Sequence, residues 1–159
     1  MKRRQTQLEL LAKLLSEETT LSLATTGEDG EASATPLFYI VDKDLSLYWL
    51  SSESSRHSLN LTRPPRVAAT VYRNAKGWRD ICGVQIRGEA KIVTDPKQRK
   101  ELLKAYCKRF NLGTALRVAV RQSTLYLLQP DFFRYIDNAK GFGSRFELTR
   151  QPEGWAPNK

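Results

Sequence analysis

The chain has 159 residues, the length of one ordinary domain and enough for a single sizeable hydrophobic core. Its apolar runs, such as Leu37–Val41 and Val67–Ala69, fall far short of the roughly 20 residues that cross a bilayer, which excludes a helical membrane span. A formal net charge of +9 directs attention to polyanions or phosphorylated small molecules as partners.

Met1-Lys2-Arg3-Arg4 is basic like the start of a signal peptide, but an amphipathic segment with Glu9, Lys13, Glu17 and Glu18 follows, so a cytoplasmic location is expected. Thr6-Gln7-Leu8-Glu9 has the capping-box pattern, and Leu8, Leu11, Ala12 and Leu15 form a helical apolar stripe to about Glu18. Period-two alternation takes over from Thr20. Glu28-Asp29-Gly30-Glu31 supplies the turn into Ala32–Val41, and Asp42-Lys43-Asp44 the turn into Leu45–Leu50, which predicts three antiparallel strands.

Ser51-Ser52-Glu53-Ser54-Ser55 breaks the pattern, and a short helix is expected to follow and to end against Pro64-Pro65. Arg66–Arg73 reads as a strand, Asn74–Gly77 as a turn, and Trp78–Val93 as a long strand bent near Gly83 and Gly88. Thr94 or Asp95 with Pro96 opens a helix to about Arg109, with Leu102, Leu103, Tyr106 and Phe110 facing a core and a densely basic opposite face. Leu125–Leu128 and Phe132–Ile136 read as strand on either side of Pro130, and Phe142–Leu148 as a last extended segment. Residues 151–159 are expected to be a loosely held tail after a single domain spanning 1–150. Closely spaced antiparallel strands with helices early, midway and late fit a barrel with peripheral helices. Cys82 and Cys107 lack any CxxC spacing and, with His57, are too few for a structural zinc site, so no metal is expected.

Ser51 to Asn60 is the most suggestive constellation. Hydroxyls, Arg56 and His57 open a helix at a strand end, and helix amides, hydroxyl donors and a forked guanidinium suit the oxygens of a phosphate monoester. The same residues also describe an ordinary serine-capped helix with Arg56 solvated outside, and their types alone leave both readings open.

The run Ala34–Tyr39, then Leu47–Ser51, Ser55-Arg56-His57-Ser58-Leu59-Asn60-Leu61 and Arg66–Ala69, resembles the pyridoxamine phosphate oxidase-like FMN-binding split barrels in the order of its parts. Gly83–Ala90, Tyr106–Phe110 and Asp137–Gly143 look like a bacterial branch of that superfamily, and the resemblance covers residues 8 to 148. It implies a mainly β (α+β) fold, an antiparallel split β-barrel with peripheral helices, that acts as a homodimer. It further implies FMN held at its phosphate by Ser51, Ser52, Ser55, Arg56, His57 and Asn60, with the ring against Thr35, Pro36, Leu37, Phe38, Tyr39 and Gln85. The corresponding function is hydride or electron transfer at the flavin, with an unknown small-molecule redox substrate and no side-chain nucleophile. His57 stands where lysine is frequent in the oxidases.

Other relatives bind heme or a deazaflavin, and His57, the only histidine, is then the candidate iron ligand. From charge alone, the helix over 97–109 could serve a polyanion or nucleic acid, or be a solvated basic face.

Overall fold

The computed structural model describes residues 2–62 and 66–158. The expected Pro64-Pro65 stop lies outside them. In chain order the elements are α1 (Lys2–Glu17), β1 (Thr20–Thr26), β2 (Ala32–Val41), β3 (Leu47–Ser51), α2 (Arg56–Asn60), β4 (Arg66–Tyr72), β5 (Cys82–Ile92), α3 (Pro96–Arg109), α4 (Thr114–Gln122), β6 (Thr124–Asp137), β7 (Arg145–Gln151) and β8 (Gly154–Pro157). All strand pairs are antiparallel, in the order β3-β2-β1-β4-β5-β6-β7-β8, and a further β3–β6 pairing closes the first six into a barrel. The architecture is the expected α+β split barrel, with two extra strands and four helices among the described residues. Among the described residues no helix is long and apolar enough to cross a membrane.

Alternation explains the barrel. Along β1, Leu21 and Leu23 turn inward, along β4 Val67, Ala69 and Val71, and along β5 Val84 and Ile86; all are buried, with Trp49, Leu47, Leu128 and Phe133 from the later strands. Leu11, Leu14 and Leu15 of α1 pack onto this core, and the Tyr39 hydroxyl donates to the Leu15 carbonyl at 2.7 Å. Arg109 at the end of α3 donates to the carbonyls of Ser16 and Glu17 at 2.6 and 3.2 Å. A cation on the open carbonyls of a helix end is the favoured arrangement.

β6 is a single strand where two were expected, and it runs through Pro130. Its first half pairs with β3, from Thr124 to Leu128, and its second half with β7, from Phe132 to Ile136, while β5 accompanies it on the other side throughout. At the changeover Arg87 pairs with Phe132 and Gly88 with Pro130, which leaves Asp131 as the extra residue of a bulge, ion-paired outward to Arg66. A Cβ on Gly88 would lie 2.2 Å from the Gln129 carbonyl oxygen, so the two strands approach closely only because residue 88 has no side chain.

Three expectations need correction. Residues 78–80 are a 3-10 turn, not strand, because the Asp80 carboxylate accepts from the Lys76 and Gly77 amides at 3.3 and 3.1 Å and curls the chain before β5. α4 was not foreseen: its nine residues follow a turn in which Asn111 takes φ 47°, and Val120 is its buried residue. Gly154–Pro157, within the segment expected as a loose tail, form a strand. Gly154 turns at φ 114°, β8 pairs with β7 from Leu148↔Pro157 to Gln151↔Gly154, and Trp155 is buried against Phe133 at 4.6 Å between ring centres.

Gly88→Ala is expected to lower stability in urea unfolding by about 1–3 kcal/mol or more, since backbone must move to admit the methyl group. Gly77→Ala, whose added Cβ would meet nothing nearer than 3.9 Å, is the control. It should change stability by less than about 1 kcal/mol.

Candidate functional site

The outward positions of five neighbouring strands line up in two rows. One row runs Pro36–Ser22–Thr70–Gln85–Arg134 across β2, β1, β4, β5 and β6, and the next runs Ala34–Ala24–Ala68–Arg87–Phe132. At the usual strand spacing this face is about 19 Å across. Its middle carries only alanine, serine and threonine, so a shallow cavity of about 440 Å³ opens there, walled on one side by Gln85, Arg87, Phe132 and Arg134. That volume is in the range of small-molecule sites. Arg87 lies over the Phe132 ring at 4.0 Å, and Arg134 donates to Glu147 at 2.7 Å. The Gln85 side chain, exposed in that wall, makes no hydrogen bond among the described residues.

α2 and the turn before it hold the β1–β2 hairpin at its turn and at the inward positions Thr25 and Ser33, the other side of the sheet from Ala24 and Ala34. Asn60 donates to Thr25 at 2.9 Å, and Thr25 bonds Ser33 across the hairpin at 3.0 Å. Arg56 reaches the hairpin turn and donates to Asp29 at 2.9 Å. The Asp29 carboxyl is held below its ordinary range by the Glu31 amide first and then by Arg56. Arg56 keeps 61% of its side chain exposed, so its remaining N–H groups are open to an anion.

Part of the serine-rich turn gathers around His57. Ser51, Ser55 and His57 form a triangle, with Ser51 Oγ 2.7 Å and Ser55 Oγ 3.2 Å from His57 Nε2 and the two hydroxyls 3.1 Å apart; Ser55 also donates to Ser58 Oγ at 2.8 Å. Ser52 bonds Ser54 instead, at 2.8 Å. His57 is buried, and burial pushes its imidazole below the ordinary value. The ring is therefore a neutral member of a hydroxyl network at neutral pH, not a second cation beside Arg56.

The 35–39 run divides by alternation. Pro36 and Phe38 point outward, Phe38 against Phe110 at 5.0 Å, while Thr35 and Leu37 are half-buried on the inner side. Tyr39 is fully buried, and its side chain belongs to the core and not to the outer face. β3 pairs with β2 only from Tyr39 to Val41, so the preceding stretch is an open strand edge, on which Pro36 forfeits no ladder bond. The residues that sequence reasoning missed are Ser22, Ala24, Ala68, Thr70, Arg87 and Arg134, together with Asp29 as the partner of Arg56. A usable signal was present: small residues recur at solvent-side positions of strands, where charged side chains are the rule.

Neutrality of buried His57 makes stability depend on pH. Its folded-state pKa is depressed, so as pH falls through the ordinary value of 6.5 the unfolded chain takes up a proton first and the fold loses stability. Above that pH the contribution is complete. Urea midpoints measured from pH 7.5 down to 5 are expected to fall, and His57→Gln should flatten the part of the profile near 6.5 while leaving the steeper acid limb.

Residues 8–135 match the family described as pyridoxamine 5'-phosphate oxidase. A UPF0306 protein of Klebsiella pneumoniae is 28% identical over 144 residues, covering 90% of this chain and 93% of its own length. A UPF0306 protein of Cronobacter sakazakii is 32% identical over 114 residues, 71% of this chain and 75% of its own. Among solved structures, HutZ, the heme storage protein from Vibrio cholerae, superposes with a TM-score of 0.65 at 20% identity over 76% of this chain and 87% of that one, a likeness of fold alone. The family match runs from α1 into the second half of β6 and so takes in both rows of the outer face and the serine turn: the chain belongs to the pyridoxamine 5'-phosphate oxidase family and is a relative of the UPF0306 proteins.

Proposed function

We propose that this protein is an FMN-binding oxidoreductase whose flavin lies on the small-residue face, with its phosphate toward Arg56. The observation that carries this reading is a flat, alanine-floored cavity of about 440 Å³ on the outer side of β1 and β2, whose connecting turn holds the exposed guanidinium of Arg56 through Asp29, with the hydroxyl cluster in the turn before α2. The residues fit the group. Alanine, serine and threonine let a planar ring come within van der Waals reach of the sheet, and no bulky side chain of the two rows stands in its middle.

When bound, FMN supplies the hydride or electron transfer. The chain supplies position and electrostatics. Arg56 neutralises phosphate charge, exchanging part of its contact with Asp29 for the ligand. Ser51, Ser52 and Ser55 offer hydroxyls, and Asn60 ties the cradle to β1. His57 anchors the serine network and leaves the cation role to Arg56. Gln85 presents an unengaged amide to the ring, and Pro36 and Phe38 border it.

A second copy of the chain is the partner that closes the face. Its rim exposes Phe38, Tyr72 and Ile81, and Trp78 and Phe142 stack edge-on nearby at 5.8 Å. Exposed apolar groups around a concave site suit burial by a self-complementary surface. A small-molecule redox substrate would enter where the two copies leave the ring uncovered.

Heme is the second reading, favoured by the function printed for HutZ. In this chain, however, His57 Nε2 is engaged with Ser51 and Ser55, so ligation of iron through that nitrogen requires the serine network to open.

Purified protein is expected to retain FMN through gel filtration, eluting as a dimer with flavin absorbance. Arg56→Ala should weaken FMN binding about 10-fold or more, the worth of a charge-assisted hydrogen bond of about 1.5–3 kcal/mol. Gln85→Ala should weaken it less than about 10-fold. A colourless protein that instead acquires a heme spectrum when hemin is added would replace flavin with heme.

A further inference from the structure

A second cavity lies between α3 and α4, with a volume of about 750 Å³. Each helix presents to it an apolar stripe beside a cationic one. On α3, Leu103 and Cys107 are one turn apart, and Lys100 and Lys104 run parallel to them; on α4, Val120 is flanked by Arg117 and Arg121. Leu116, one turn before Val120, extends the apolar stripe and is 53% exposed. Between residues 96 and 122 the sequence has a single acidic residue, Glu101, and it does not line the cavity. Among the described residues neither Lys100, Lys104 nor Arg121 is paired with a carboxylate.

Unpaired cations that only made the surface soluble would not need an apolar floor, and an apolar groove that only packed the helices together would not stay open at this volume. The two stripes together match a molecule that is itself divided. We infer that the α3–α4 cavity binds an anionic amphiphile, one phosphate or carboxylate head on an apolar chain. The chain lies along Leu103 and Val120, and the head sits among Lys100, Lys104 and Arg121. Concavity and the apolar floor favour this occupant over a nucleic acid, whose backbone calls for cations and stacking aromatics, and no aromatic side chain lines the cavity. The site shares no residue with the small-residue face, so it stands whether or not FMN binds there.

Calorimetric titration of the full chain with dodecyl phosphate, below its micelle concentration, tests this. Saturable binding of one molecule per chain is expected, with dodecanol and inorganic phosphate each weaker by about tenfold or more because each lacks half of the recognition. Lys104→Glu combined with Arg121→Glu should weaken dodecyl phosphate by about tenfold or more, and Arg56→Ala should leave it unchanged. If the reversed-charge protein does not fold by circular dichroism, Lys104→Gln with Arg121→Gln serves, with a smaller loss. The proposal is overturned by an absence of saturable binding, by equal affinity in a folded double variant, or by loss of binding in Arg56→Ala. It is equally overturned if only an oligonucleotide or only phosphatidylglycerol vesicles bind, since either outcome makes the helices an outer surface and not a cavity for one molecule.

Discussion

Everything in this fold turns on the contact between Gly88 and the Gln129-Pro130 backbone. β6 cannot serve β3 and β7 with one straight run, because β3 belongs to the barrel and β7 to the hairpin outside it. The bulge at Asp131 lets one strand change partners midway, and it needs β5 to follow the bend at a distance that only a residue without Cβ permits. Pro130 suits the bend because it has no amide hydrogen to leave unsatisfied there. Asp131, expelled from the ladder, ties the bulge to the start of β4 through Arg66. Closure of the barrel and attachment of the β7–β8 hairpin therefore depend on one short stretch of chain.

Closure in turn sorts side chains. Once β1, β2, β4 and β5 are held in register, every second residue is committed to the interior, and the remaining positions form an outer surface whose shape is set by their size alone. Ala24, Ala34 and Ala68 fall at matched heights on adjacent strands, which makes a depression without any loop having to build it. The polar cluster beyond the hairpin turn is assembled differently, by side-chain hydrogen bonds from α2 to the β1–β2 hairpin, and is correspondingly more adjustable.

Most of the barrel could be read from period-two alternation, because β1, β4 and β5 carry inward aliphatic residues at alternate positions. The serine and His57 cluster was also legible, since a polar break between a strand and a short helix places those residues close together by local geometry. What stayed hidden depends on contacts distant in sequence. Nothing in the residues around Pro130 announces that β6 continues through it, since the support comes from Gly88, forty-two positions away. Asp29 as the partner of Arg56 and the pairing of Thr70 with Gln85 are likewise products of register. β8 was missed because its stability rests on Trp155 reaching Phe133, and a segment rich in glycine, proline and asparagine otherwise reads as untethered.

The same register has a bearing on how copies of this chain can associate. Among the stretches of described backbone without a strand beside them are β2 before Tyr39 and the outer side of β8. Each contains a proline, Pro36 and Pro157, at a position whose missing amide points away from the neighbouring strand, as the alternation from the Tyr39 and Asn158 amide bonds dictates. Side-by-side growth of the sheet from one molecule to the next would need donors at those points, and proline withholds them. Continuous intermolecular sheets, the route to fibrillar aggregation, are thereby disfavoured, and assembly is steered toward contacts between side chains on opposed faces.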